Sequence, residues 1–179
     1  MTENSIINIS LAILFLPLLG FAVTLLLGKK VKSIYLFEVF LISLVLIGSI
    51  VLAFNKLSYF IDDKIVSELE WFRLSDSLVI KLGFLLDNIT VLMLFVVALI
   101  SALVHYFSIA YMKGDARYNR YFAYLGIFTF SMNGIVLTNN ILMMYIFWEL
   151  VGLSSYLLIG FWFEKKSAAD AGKKAFLVN

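Results

Sequence analysis

The sequence predicts an all-α integral membrane protein, with about five complete transmembrane helices, the start of a sixth, and a small extramembrane hairpin between the second and third helices. Three observations predict it. Hydrophobic residues make up 63% of the chain and its mean hydropathy is +0.99, against ~45–50% apolar in ordinary soluble domains. The apolar residues gather in runs long enough to cross a bilayer as helices. The bases cluster beside those runs and the formal charge is only +2, a pattern of membrane orientation and not of nucleic-acid binding. The absence of cysteine excludes disulfides, thiolate metal sites and iron–sulfur ligation within the chain. One histidine and no tight cluster of acids argue against a dedicated metal site.

The first helix spans 6–27, with Pro17 in its interior and Gly20 and Thr24 on the same face at +3 and +7. The preceding MTENS has an acid and no base, which is not the n-region of a cleaved signal, so this helix stays in the membrane. Pro17 frees a carbonyl that a neighbouring helix must satisfy. The second helix spans 33–54. Glu38 lies shallow in it, placed to snorkel or to meet Lys29, Lys30 and Lys32 at the headgroups. Residues 55–86 carry nine charged side chains and short pieces of period-two alternation, Leu69-Glu70-Trp71-Arg73 and Leu78-Val79-Ile80-Lys81-Leu82. They read as the extramembrane hairpin, turning near Ser75-Asp76-Ser77 and packing on a neighbour.

The third helix spans 87–112. Ala98, Ser101, His105 and Ser108 form a narrow polar stripe along it. The stripe serves either interhelical hydrogen bonding or one bank of a water-lined path in which His105 shuttles protons. The fourth helix, 121–138, sets Gly126, Thr129 and Asn133 on one face, and Thr138-Asn139-Asn140 turns the chain into the fifth. The last helical stretch, 167–179, carries Lys173 and Lys174. Its thirteen residues rise only ~20 Å, short of a ~30 Å hydrocarbon core. The whole of 1–179 therefore reads as a single membrane domain that opens a longer chain.

Sorting the bases by loop parity places Lys29, Lys30, Lys32, Lys113, Arg117, Arg120, Lys165, Lys166, Lys173 and Lys174 on one side, ten of the fourteen. By the positive-inside rule that side is cytoplasmic, and the N-terminus and hairpin face outward.

The fifth helix, 141–163, reads ILMMYIFWELVGLSSYLLIGFWF and holds one carboxylate, Glu149, ~12 Å from its start. A charge at that depth costs ~2.5–3.5 kcal/mol on insertion scales, so such groups face protein or water and handle ions or protons. Tyr145, Gly152 and Tyr156 share its face at −4, +3 and +7. These residues assign Glu149 as a proton relay, with Tyr145, Tyr156, Ser101, His105, Ser108, Lys173 and Lys174 as candidates for the path. No base is expected at membrane depth, so a cationic partner of Glu149 lies elsewhere.

From residue 87 onward the sequence resembles the large antiporter-like subunit of respiratory complex I, of the bacterial subunit L and mitochondrial subunit 5 type. The pieces that carry the likeness are LVHYFSIAYM (103–112), RYFAYLGIFTFSM (120–132), WELVGLSSYLLIGFW (148–162) and KKAFLVN (173–179). The resemblance implies a proton-translocating subunit of NADH–quinone oxidoreductase in the inner or cytoplasmic membrane, packed against the other membrane subunits. It implies that Glu149 matches the proton-pathway glutamate of the family, with a lysine counterpart on a later helix. It also implies no cofactor in this chain, with NADH, FMN, iron–sulfur clusters and quinone on partner subunits. Phe147 departs from the family, where glycine often precedes the Trp-Glu pair, and is expected to narrow the approach to Glu149. A subunit of a multisubunit Na⁺/H⁺ antiporter resembles the same motifs, and an inert truncated product is a third reading.

Overall fold

The computed structural model describes residues 3–59, 64–75 and 78–179. Within them run α1 (Glu3–Leu27), α2 (Tyr35–Tyr59), β1 (Ile65–Ser75), β2 (Leu78–Leu86), α3 (Asn88–Tyr111), α4 (Tyr118–Leu137), α5 (Ile141–Ile159) and α6 (Lys166–Val178). The protein is mostly helical, and α1, α2, α3 and α5 are long and apolar enough to cross a membrane. At ~1.5 Å per residue, the 25 residues of α1 and of α2 each rise ~37 Å.

Helix α4 is the least apolar of the long helices because it faces protein on most sides. It packs on α1, α2, α3 and α5 together, and Phe122, Gly126, Thr129, Asn133 and Gly134 on it are all buried. Lipid tails are as apolar as leucine, so membrane helices associate through close packing and hydrogen bonds, not by expelling water. Polar and small residues therefore suit α4. The core around it joins Ile6 and Ile13 of α1, Val45 and Leu52 of α2, Leu94 and Ala98 of α3, and Phe147 of α5.

Local signals fix several element ends. Asp87 caps α3 by accepting from the Thr90 amide at 2.8 Å, and Asn140 caps α5 by accepting from the Met143 amide at 2.9 Å. Pro17 donates nothing to the Ile13 carbonyl, and Asn133 Nδ2 of α4 supplies the missing donor at 3.1 Å.

Four expectations change. Helix α2 continues to Tyr59 rather than ending at 54, which places Lys56 in its last turn, fully buried, with Nζ 3.2 Å from Asn88 Oδ1. A base is thus held inside the described protein, where none was expected. Glu38 is buried as well, at 0% exposure, and does not reach out to headgroups. Its side chain lies between Gly20 of α1 and Gly126 of α4, where the missing side chains leave room for it. Helix α4 begins at Tyr118, three residues early. Helix α5 stops at Ile159, not 163, because its capping Gly160 lies against Gly172 of α6 and the chain turns there.

Strands β1 and β2 pair antiparallel, with Ile65 opposite Leu86 and Glu70 opposite Lys81. The expected Asp76–Ser77 turn lies outside the described residues. The sheet rests on the turn between α4 and α5: the Asn139 amide donates to the Gly83 carbonyl at 3.3 Å and Asn140 Nδ2 to the Lys81 carbonyl at 3.0 Å. The opposite end is tied by other contacts. Asn119 Nδ2 donates to the carbonyls of Gly28 (2.8 Å) and Val31 (3.1 Å), and Arg117 pairs with Glu164 at 2.9 Å. The basic loops therefore gather at one end of the bundle and the sheet at the other.

Candidate functional site

Glu149 sits ninth in the nineteen residues of α5, so ~12 Å of helix precedes it and ~15 Å follows. It lies at the centre of a membrane-length helix. Helix α5 touches mainly α4 and α6, and among its residues Phe147, Gly152 and Ser154 are buried. Glu149 itself is exposed in this chain, against the expectation of a buried carboxyl: α4 and α6 cover two sides of α5 and leave this one open. The Tyr145 hydroxyl, one turn earlier, lies within reach of the Glu149 carboxyl. Tyr156, two turns on, meets the Phe176 ring edge-on at 6.0 Å.

Helix α6 folds back along α5. Gly160 and Gly172 bring the two backbones together near the turn. At the far end Trp148 Nε1 donates to the Asn179 carbonyl at 3.1 Å, and Asn179 covers Gly152. Lys173 and Lys174 lie ~100° and ~200° around α6 from the buried Gly172, so both are exposed. No ion pair among the described residues includes Glu149.

Phe147 does not crowd the carboxyl. Two residues from Glu149, it points across to α4, fills the notch above Gly134 and meets Phe130 at 5.5 Å. Ser154 bonds back to the carbonyls of Leu150 (2.8 Å) and Val151 (3.0 Å) on its own helix.

The polar stripe of α3 faces inward. His105 is 1% exposed, with Nδ1 2.8 Å from the Ser101 carbonyl. Ser101 Oγ meets Thr129 Oγ1 of α4 at 2.6 Å. His105 Nε2 and Ser108 Oγ are buried without a hydrogen-bond partner. This stripe and Glu149 lie on two neighbours of α4, so α4 stands between them. The residue that sequence reasoning set aside is Glu38. It packs on the same α4 stripe, against Gly126, while Tyr35, one turn earlier, and His105 both meet the Phe122 ring. Its apolar helix context was the available signal.

Apolar helices of membrane length, a carboxyl midway along one of them and a polar line through their core define the class: a multi-pass membrane protein with ionisable side chains on its membrane-length helices. Comparison with known proteins makes this particular. Residues 71–122 match the family model described as NADH-ubiquinone oxidoreductase (complex I), chain 5 N-terminus, and residues 138–179 match that of the NADH:quinone oxidoreductase/Mrp antiporter transmembrane region. The chain belongs to the antiporter-like membrane subunits of complex I, of the subunit 5 type. It is 44% identical to chloroplastic NAD(P)H-quinone oxidoreductase subunit 5 of Physcomitrium patens over 84% of this chain and 21% of that protein. It is 52% identical to the same subunit of Chara vulgaris over 59% and 16%. The chain thus spans about a fifth of the length of the curated relatives it matches. Its fold is also that of a chain in the archaeal membrane-bound sulfane sulfur reductase, at a TM-score of 0.79 and 20% identity, over 94% of this chain and 33% of the other.

Proposed function

We propose that this chain is the part of a proton-translocating NADH–quinone oxidoreductase subunit that carries Glu149 as a proton relay. The observation that supports it most is a single carboxyl at the midpoint of α5 with a tyrosine hydroxyl one turn away, in a chain of the subunit 5 family. The exposed face of α5 then packs against further protein of the same subunit or its neighbours, which supplies the cationic partner that Glu149 lacks here. Helix α4 is a fifth span, hidden from lipid by the others. The sheet and N-terminus face outward across an inner or cytoplasmic membrane, with the basic loops inside. The redox groups sit on partner subunits, and this chain moves protons when quinone reduction alters the field around Glu149.

The test is Glu149→Gln in the full-length subunit within its assembled complex, reconstituted in vesicles. The amide keeps shape and hydrogen bonding but cannot carry a proton, so pumping per NADH should fall while assembly is kept. An unchanged proton-to-electron ratio refutes the role. A cation/proton antiporter subunit is the second reading, favoured by the Mrp antiporter half of the family description. Sodium-driven proton movement that persists without NADH would establish it.

A further inference from the structure

We propose that Glu38 is a second proton-binding carboxyl, loaded from a cavity at the basic end of the bundle through the Thr24 hydroxyl. The inference rests on the proton-translocating reading above and adds a site and a route to it.

Glu38 is fully buried, and neither carboxyl oxygen has a hydrogen-bond partner among the described residues. A carboxylate left so in a dry interior is very costly, whereas one that binds a proton is neutral. A carboxyl that merely joined helices would show those bonds; this one shows none. Room has nevertheless been made for it on two sides. A methyl group at Gly20 or at Gly126 would strike the carboxyl, and the Pro17 carbonyl lies 3.1 Å from that position at Gly126. The oxygens at hand are one carboxyl, one hydroxyl and one carbonyl, fewer than the six or more that hard divalent cations gather. A proton needs only one.

The route is equally visible. A cavity of about 1380 Å³ opens among the basic loops, lined by Lys29, Lys32, Lys113 and Arg120 at its mouth, with Thr24 and Tyr35 deeper. Thr24 is 1% exposed and its hydroxyl has no hydrogen-bond partner. It stands beside Glu38 without a well-aligned bond to it. Gly20 is one turn past Thr24 on α1, and Glu38 is nearly one turn past Tyr35 on α2, so the carboxyl lies ~5 Å beyond the cavity floor. In the transfer, a hydronium ion in the cavity gives a proton to Thr24 Oγ and is left as water, while the hydroxyl gives its own proton to Glu38. One O–H bond breaks as the next forms, and the carboxylate becomes a carboxylic acid. The charged neighbours are few. Helix α1 has only Glu3 at its far end, α4 only Arg120 in its first turn, α3 only His105 besides the phenols of Tyr106 and Tyr111, and α2 itself only Lys56, ~27 Å further along the helix, so the mouth is the nearest cationic region. His105 Nε2, Ser108 Oγ and Asn133 Oδ1 are likewise buried without a partner.

The experiment is infrared difference spectroscopy of the assembled complex with the full-length subunit, across a pH step and after transfer to heavy water. The expected result is a carbonyl-stretch band of a buried carboxylic acid that is lost in E38Q and kept in E149Q. Thr24→Val should slow its deuterium exchange and lower pumping several-fold, and Thr24→Ser should restore both. Gly126→Ala, which crowds the carboxyl without removing it, should shift the band. A band that survives E38Q, one that appears only when sodium is withdrawn, or wild-type pumping in E38Q overturns the proposal. A band that follows Glu38 in a complex whose E149Q variant pumps normally upholds this site and rejects the Glu149 relay, so the two failures are told apart.

Discussion

Replacing Asn133 by leucine removes the amide that satisfies the Ile13 carbonyl, the acceptor orphaned by Pro17. Interhelical hydrogen bonds in membranes average ~0.6 kcal/mol and reach ~1.7. An acceptor left unsatisfied where no water reaches costs ~1–3 kcal/mol. Asn133 and Ile13 are both essentially inaccessible, at 0% and 1%, so the upper part of the membrane range applies, about 1–1.7 kcal/mol. That is roughly a 5- to 20-fold rise in the unfolding constant. Pro17→Ala then provides a sharp control, because an alanine at 17 returns the N–H that closes the ladder onto Ile13. In that background Asn133→Leu should cost about 1 kcal/mol less than in the wild type. The assay is a double-mutant cycle of detergent-titrated unfolding in mixed micelles, followed by circular dichroism. Equal costs of Asn133→Leu in both backgrounds would refute the reasoning, since the amide would then be serving something other than the proline kink.

Gly134→Ala drives a methyl into the Phe147 ring and should destabilise the protein by ~1–3 kcal/mol; Phe147→Leu, which shortens the intruding ring, should recover part of this in the same unfolding assay. Thr129→Val deletes the 2.6 Å bond to Ser101 and should cost ~0.6–1.7 kcal/mol, with the Ser101→Ala, Thr129→Val double variant no worse than the larger single one. At the basic end, a hydrogen bond from Trp162 Nε1, then the Arg117 amide and its charge, hold the Asp115 carboxyl below its ordinary 3.8 against some burial. This tie is fully present above pH 3.8 and is lost as pH falls through the lowered value. Trp162→Phe should move the acid loss of this loop, read by protease nicking between α3 and α4, to higher pH.

The apolar runs, their order and the register of Glu149 were readable because length and hydropathy alone decide whether a helix can cross a membrane. The proline argument was readable too, since Pro17 dictates that some other helix must bring a donor. Charge misled where its partner was distant in sequence. Lys56 looked like the start of a loop, but α2 carries it inward to Asn88. Glu38 looked like a surface acid because the glycines that house it belong to α1 and α4, and nothing near it in the chain announces them. Phe147 looked like an obstruction to Glu149 until Gly134 appeared as its socket. The apolar text through Phe163 concealed that Gly160 ends α5 by meeting another backbone.

That meeting makes a fulcrum. Gly160 and Gly172 touch near the joint of α5 and α6, while the Trp148–Asn179 clasp closes over Gly152 ~10 Å further up α6, beside Glu149. Any wedge at the joint, even one methyl, is multiplied along that arm and pries the clasp open at the carboxyl. A small residue far from the charge thus governs how tightly its neighbourhood is shut.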